Sequence, residues 1–340
     1  MNAAPRTTAA QRMTWMDTLR GVAILLVLVL HASALSLMLS GVDGPLWLQI
    51  LNSAVLPYRM QVLMVLSGML LGASLSKPPG RYVLGKVRAL VWPYLIWCVV
   101  YWVAVGQPSV PRWHEWIALS WLWYIFFIAT YFAIAPALVR VPTWIPPLFF
   151  WTVSAIVSDP DWTNYFLYAG YFFAGHAAWS YRGQIARAYR PWMGAVALIA
   201  TVALSVGYVA QDFGVTFLIA LRREELLYAP LNLLGIAGLI MLVRRLPDGG
   251  TRYLRYVGRN SVVFYLSHYP TQIVVTNALT QAGISDWRAH VGGGLAAALA
   301  VGYALTALRR FPVVDALFVM PWPHARAVAG ATPTVGRRSA

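Results

Sequence analysis

The first long apolar stretch of the chain holds three residues whose types and spacing could carry chemistry: Asp17, Arg20 and His31. At about 100° per residue, the eleven-residue spacing brings Arg20 and His31 to nearly the same face of a helix, about 16 Å apart. Asp17 lies one turn before Arg20, close to that face. A neutral imidazole can take a proton from a hydroxyl nucleophile and release it later. The pattern predicts either a general base or a histidine that only hydrogen-bonds to a neighbouring helix.

A second histidine, His268, lies in the segment GRNSVVFYLSHYP. It is about eight residues into its own apolar run, or roughly 12 Å deep if the run is helical. His31 lies at a similar depth, so the two rings could line one cavity. Equally, His268 could be a packed histidine that donates to a backbone carbonyl.

The segment KPPGRYVLGKVR concentrates positive charge between two apolar runs. Arg81 and Arg88 are seven residues apart and would share one helical face, with Lys86 nearby. Guanidinium groups suit phosphate oxygens, which they bind with paired hydrogen bonds. The segment predicts a phosphate-binding site, although charges that only set membrane topology would look the same.

Arg59 lies in the outer part of the second apolar run and needs a partner there, either Glu115 or an anionic substrate. His114, Glu224 and Glu225 are further candidates for binding an acceptor substrate. A metal site is not expected, because no closely spaced pair of histidines or carboxylates projects from one predicted helix.

The composition points to a membrane protein. The chain is 59% hydrophobic and only 11% charged, with a mean hydropathy of +0.62, which is too apolar for an ordinary soluble domain. The net charge of +15 does not indicate nucleic acid, because cytoplasmic loops of membrane proteins collect Lys and Arg. The single cysteine, Cys98, excludes an internal disulfide. We therefore predict an all-α, multi-pass protein of the inner or plasma membrane.

Ten spans can be drawn along the chain. They cover about 19–40, 55–75, 89–105, 116–139, 141–157, 165–181, 192–210, 226–243, 260–279 and 291–308. With the N-terminus inside, 21 of the 26 Lys and Arg residues fall on the inner side. This asymmetry predicts that both termini are cytoplasmic. Residues 1–310 would form the transmembrane domain, 311–324 an interfacial segment and 325–340 a disordered tail.

Several blocks resemble the acyltransferase type 3 family, integral-membrane enzymes that O-acylate polysaccharides, lipids and antibiotics. They appear in family order across about residues 13–310, with ten spans. The blocks are DTLRGVAILLVLVLHA, MVLSGMLLG, RYVLGKVR, VRALVWPYLIW, LWYIFFIATYFAIAP and NSVVFYLSHYP. One departure is Gly85, which stands where the family usually has Phe.

The resemblance implies transfer of an acyl group, most often acetyl, from a cytoplasmic acyl-CoA to a hydroxyl of a carbohydrate or lipid. The acyl-CoA would be a co-substrate, with no bound cofactor and no nucleic-acid partner. His31 would be the general base or an acyl relay. Arg20, positioned by Asp17, would orient the donor or stabilise developing negative charge.

The remaining candidates take supporting roles in the same reaction. The donor phosphates would be held by Arg81, Arg88 and Lys86. Second-tier candidates are His268, Arg59 and Glu115. The acyl group, the acceptor, the choice between direct transfer and an acyl-histidine, and the oligomeric state stay open at this point.

Other classes of protein fit less well. A transporter or channel could use the histidines as a proton relay. A glycosyltransferase with a lipid-phosphate donor would need a metal or a set of carboxylates, and the chain has only 11 acidic residues. A purely structural scaffold would leave Asp17, Arg20 and His31 unexplained on one helix face.

Overall fold

The computed structural model describes residues 13–104, 112–214, 228–247 and 249–322. These residues form helices and turns, without a β-strand among them, and ten of their helices have 12 residues or more. In chain order the ten are α1 (Thr14–Ser40), α2 (Leu46–Met69), α3 (Pro79–Ala104), α4 (Ser120–Leu138), α5 (Ile145–Ile156), α6 (Pro160–Ser180), α7 (Pro191–Asp212), α8 (Ala229–Arg244), α9 (Ser261–Gln281) and α10 (Trp287–Leu308). The predicted tail 325–340 lies outside the described residues, as do Glu224 and Glu225.

Six of these helices are long and apolar enough to cross a membrane: α1, α2, α3, α4, α7 and α10. Helices α5 and α8 are apolar but shorter. Helix α9 is 21 residues long and carries polar side chains that point into the protein, since Ser267, His268 and Gln272 are buried. The all-helical prediction is confirmed. The count of ten spans and the cytoplasmic side of both termini stay predictions.

Two of the helices change their winding in the middle. A π-turn covers His31–Leu35 in α1, and a second covers Val87–Val91 in α3. Each is marked by a backbone bond that spans five residues, such as Ser36 N–H to the His31 carbonyl. Single π-turns inside α-helices are uncommon and often occur at functional sites. Both lie in segments that the sequence singled out, although uniform helical periodicity did not anticipate them.

Glycines bring the central helices into close contact. A Cβ on Gly68 of α2 would lie 1.7 Å from the carbonyl oxygen of Phe172 in α6. Similarly, a Cβ on Gly21 of α1 would lie 2.0 Å from the carbonyl of Leu254, in the short helix Arg252–Arg259. Membrane helices use small residues in this way to approach each other closely. These contacts fix α1 and α2, which supply many of the candidate site residues.

The last described segment is docked on α3. The indole N–H groups of Trp92 and Trp97 donate to the carbonyls of Ala316 (2.7 Å) and Leu317 (3.0 Å). The Phe318 ring, only 2% exposed, lies against Trp97. The segment predicted as interfacial therefore packs against the helical bundle over its described part, 311–322.

Candidate functional site

The two predicted histidines meet in the interior. His31 on α1 and His268 on α9 are 237 residues apart in sequence, yet His268 Nε2 lies 3.1 Å from His31 Nδ1. Their ring centroids are 5.0 Å apart. His268 is fully buried and His31 is half-buried. The pair is the point where the two most distant sequence motifs converge.

Hydrogen bonding determines which nitrogen of His31 carries the proton in the neutral pair. His268 Nδ1 lies 2.6 Å from the carbonyl oxygen of Tyr265, and a carbonyl can only accept, so this nitrogen is the donor. His268 Nε2 is then an acceptor, and His31 Nδ1–H must donate to it and to the Val27 carbonyl, 3.1 Å away. The lone pair of His31 is therefore on Nε2, the nitrogen that a base or nucleophile would use.

Aromatic side chains hold the histidine pair on one side. The Tyr269 ring meets His31 edge-on at a centroid distance of 5.2 Å and stacks on Trp121 at 4.5 Å. The Tyr265 hydroxyl donates to the Trp121 carbonyl. These contacts connect α9 to the start of α4 and restrict movement of the rings.

A cavity of about 370 Å³, here called the basic cavity, lies between α1, α2, α3, α4 and α9. Four cationic side chains line it: Arg20, Lys77, Arg81 and Lys86. Lys86 Nζ donates to Ser74 Oγ at 3.0 Å and lies 3.2 Å from the centre of the Phe132 ring. The described lining includes no carboxylate, so the cavity suits an anionic ligand.

Arg88 lies two turns beyond Arg81 on α3 and is not among the described residues that line the basic cavity. Its Nε donates to the carbonyl of Met320 at 3.0 Å, while its own carbonyl accepts from Met320 N–H at 3.1 Å. The structure thus brings Arg20, Arg81 and Lys86 together and places Arg88 against the docked C-terminal segment. Lys77, which the sequence analysis did not select, lies two residues before the start of α3 and lines the same cavity.

Asp17 is buried near the start of α1, and its Oδ2 accepts from Arg259 Nε at 3.1 Å. Arg259 ends the short helix Arg252–Arg259, so this ion pair joins that helix to α1. Sequence reasoning missed this partner because it lies 242 residues away. The role of Asp17 in positioning Arg20 stays a prediction.

A second cavity of about 420 Å³, here called the polar cavity, lies beside the other halves of α1 and α2 and the end of α7. Its polar lining residues are Ser33, Gln49, Asn52, Ser53, Arg59 and Asp212. Sequence reasoning found only Arg59 among them. The predicted second span began at residue 55, whereas α2 begins at Leu46, so Gln49, Asn52 and Ser53 belong to the helix.

The two cavities lie toward opposite ends of the same helices. On α1, Arg20 and Ile24 line the basic cavity, whereas Leu30 and Ser33 line the polar cavity. His31 lies between Leu30 and Ser33 along α1, next to the polar cavity, and neither His31 nor His268 is among the described lining residues of either cavity. Arg59 is buried, with only 3% of its surface exposed.

The structure places Glu115 in a single turn of 3₁₀ helix, Trp113–Trp116. Its Oε2 accepts from Arg112 N–H at 3.1 Å, and Glu115 is not among the described residues lining either cavity. Arg59 donates to Asn52 Oδ1 at 3.5 Å. Within the described ranges, no three His, Cys, Asp or Glu side chains converge as metal ligands would.

Comparison with known proteins agrees with the motif pattern. A family model described as an acyltransferase domain matches residues 13–307, which is most of the chain. No curated protein and no solved structure matches the chain. With its apolar helices and this match, the chain is a membrane protein that belongs to the acyltransferase type 3 family.

Proposed function

We propose that the protein is an O-acyltransferase that moves an acetyl or other acyl group from acyl-CoA to a hydroxyl of a carbohydrate or lipid. The observation that carries this proposal is the His31–His268 pair. The pair leaves the lone pair of His31 on Nε2, and α1, which carries His31, lines both the basic cavity and the polar cavity. Family membership supports the reaction class.

The basic cavity is the proposed donor site. Its four cations suit the phosphates of a coenzyme A thioester, and Arg81 and Arg20 offer guanidinium groups for paired hydrogen bonds. Arg88 was expected beside Arg81; with its Nε on Met320, we assign it a supporting role in holding α3. The positive-inside asymmetry of the sequence supports a cytoplasmic opening for this cavity in the plasma membrane.

His31 Nε2 is the proposed general base. It takes the proton of the acceptor hydroxyl as the oxygen attacks the thioester carbonyl; the new C–O bond forms and the C–S bond breaks. The proton then passes from His31 to the departing thiolate, which leaves as the free thiol. His268 and the Val27 carbonyl hold His31 in the required tautomer, and Arg20, about 16 Å away along α1, orients the donor from the basic cavity.

Replacing His31 by Gln is the direct test. Loss of a general base typically costs about 10²–10⁴-fold in rate. Membranes that contain His31→Gln should therefore transfer label from acetyl-CoA at least about 100-fold more slowly than wild type. His176→Gln, on α6 and outside the described lining of both cavities, is the matched control. Full transfer by a normally inserted His31→Gln protein would refute the base assignment.

A proton-coupled transporter is the second candidate, because two hydrogen-bonded imidazoles inside a membrane protein could also relay protons. It predicts solute or proton flux in proteoliposomes that contain no acyl-CoA. Flux without acyl-CoA, together with no thioester cleavage when acetyl-CoA is added, would favour transport over acyl transfer.

A further inference from the structure

We infer that the polar cavity is the acceptor site and that it selects a neutral polyhydroxyl compound, such as an uncharged sugar, over an anionic or alkyl acceptor. This inference rests on the proposed function. It assigns Asn52 and Asp212 as the residues that determine which acceptor is bound. The sequence pattern selected neither of them.

The polar side chains of this cavity are held in position by hydrogen bonds to one another. Asn52 Nδ2 donates to Ser33 Oγ at 2.8 Å, and Asn52 Oδ1 faces Arg59 at 3.5 Å. Ser53 donates its hydroxyl to Asp212. Amide, carboxylate and guanidinium groups held in fixed positions can each exchange hydrogen bonds with neighbouring hydroxyls. A site built in this way rejects a ligand that lacks those hydroxyls, because its own polar groups would lose their partners.

The charge of the cavity argues for a neutral ligand. Among its described lining residues, Arg59 and Asp212 are the charged pair and their formal charges cancel. The basic cavity, by contrast, has four positive groups and suits an anion. Because the two charges cancel, an acidic sugar would gain no net attraction in this cavity to offset the loss of its hydration, while the leucines of α1 and α2 can pack against the carbon face of a sugar ring.

The polar cavity also lies beside the turn of α1 that carries the base. Leu30 and Ala34, one residue before and three residues after His31, both line this cavity. Residues three apart on a helix are neighbours on its surface, so a hydroxyl group bound against Ala34 would lie about one helical turn from His31.

The test uses the full-length protein in nanodiscs with acetyl-CoA and three acceptors: methyl glucoside, methyl glucuronide and hexanol. Released thiol and acetylated product are measured together. We expect transfer mainly to methyl glucoside. Asn52→Ala should raise the KM for methyl glucoside about tenfold with a smaller change in kcat, since it removes one hydrogen-bonding partner.

Asp212→Asn supplies the discriminating result. It removes the negative charge and keeps the shape, so the preference for glucoside over glucuronide, as a ratio of kcat/KM, should fall about tenfold. The matched controls are Asn277→Ala and Asp161→Asn, which change exposed residues outside the described lining of both cavities. Loss of folding alone would lower the rate of transfer to both acceptors equally and leave the ratio of their kcat/KM values unchanged.

The outcomes separate the inference from the proposed function. Thiol release with acetylation of hexanol or glucuronide, and none of glucoside, would overturn the inference alone. So would an Asp212→Asn protein that releases thiol at nearly the wild-type rate and yet has an unchanged glucoside-to-glucuronide ratio. Absence of both thioester cleavage and product with every acceptor would overturn the proposed function and, with it, this inference.

Discussion

The basic and polar cavities lie along the same two helices, α1 and α2, but differ in the charge of their walls. The basic cavity gathers Arg20, Lys77, Arg81 and Lys86, and the polar cavity combines Arg59 with Asp212 and neutral amides and hydroxyls. A site with one sign of charge attracts ions of the other sign, whereas a balanced site selects by hydrogen-bond geometry. The difference teaches that one pair of helices can line two cavities of unlike chemistry at its two ends.

The histidine pair is the part that the two cavities would share. If it serves both substrates, changing it should lower kcat whichever substrate is varied. If each cavity binds its own substrate, a change in one cavity should raise only one KM. The following variants test this division.

The largest effect in this series is expected for His268→Ala. Without the His268 ring, His31 Nδ1–H keeps only the Val27 carbonyl as an acceptor and the imidazole loses the neighbour that fixes its orientation, so fewer molecules present the Nε2 lone pair in the reacting position. We expect kcat to fall about 30- to 100-fold with little change in either KM. Steady-state kinetics with each substrate varied in turn measures this.

The conservative variant His268→Gln provides the control for His268. Its side chain can still accept a hydrogen bond from His31, so it should recover part of the lost kcat. Equal losses in His268→Ala and His268→Gln, accompanied by a higher KM for one substrate, would place His268 in a binding site instead.

An intermediate effect is expected for Arg81→Ala. Removing one charged hydrogen-bonding group from the basic cavity should raise the donor KM about tenfold and leave the acceptor KM unchanged. Arg140→Ala, an exposed arginine outside the described lining, is the matched control. An equal rise in both KM values for Arg81→Ala would contradict separate donor and acceptor cavities.

The smallest effect is expected for Arg88→Ala. Its Nε bonds to the Met320 carbonyl, so the variant should mainly loosen the docked C-terminal segment. We expect less than about a threefold rise in donor KM, together with faster proteolysis after residue 310. A rise in donor KM as large as that of Arg81→Ala would restore the phosphate-binding role that the sequence suggested for Arg88.

Sequence patterns predicted the features that depend on neighbours along one helix. Apolar runs indicated a helical membrane protein, and the spacing of Arg20 and His31 predicted that they share one face of a helix. Of the three basic residues expected near each other, Arg81 and Lys86 line the basic cavity and Arg88 does not. The prediction of helices succeeds because helical periodicity is a local property that the chain repeats every few residues.

Other features of the site were beyond the reach of the same patterns. Uniform periodicity gave no sign of the π-turns, and a polar stretch before residue 55 looked like a loop although it begins α2. Polar residues in a membrane helix lower its hydropathy, and only the fold shows that they face a cavity.

By itself, the sequence determined the class of protein, the family motifs and the faces on which the basic and imidazole groups lie. Only the tertiary structure decided that His268 meets His31, that Arg259 pairs with Asp17 and that Arg88 turns to Met320. Each of these contacts joins residues more than 200 positions apart. Such pairings are set by which helices pack together, and no local spacing encodes that choice.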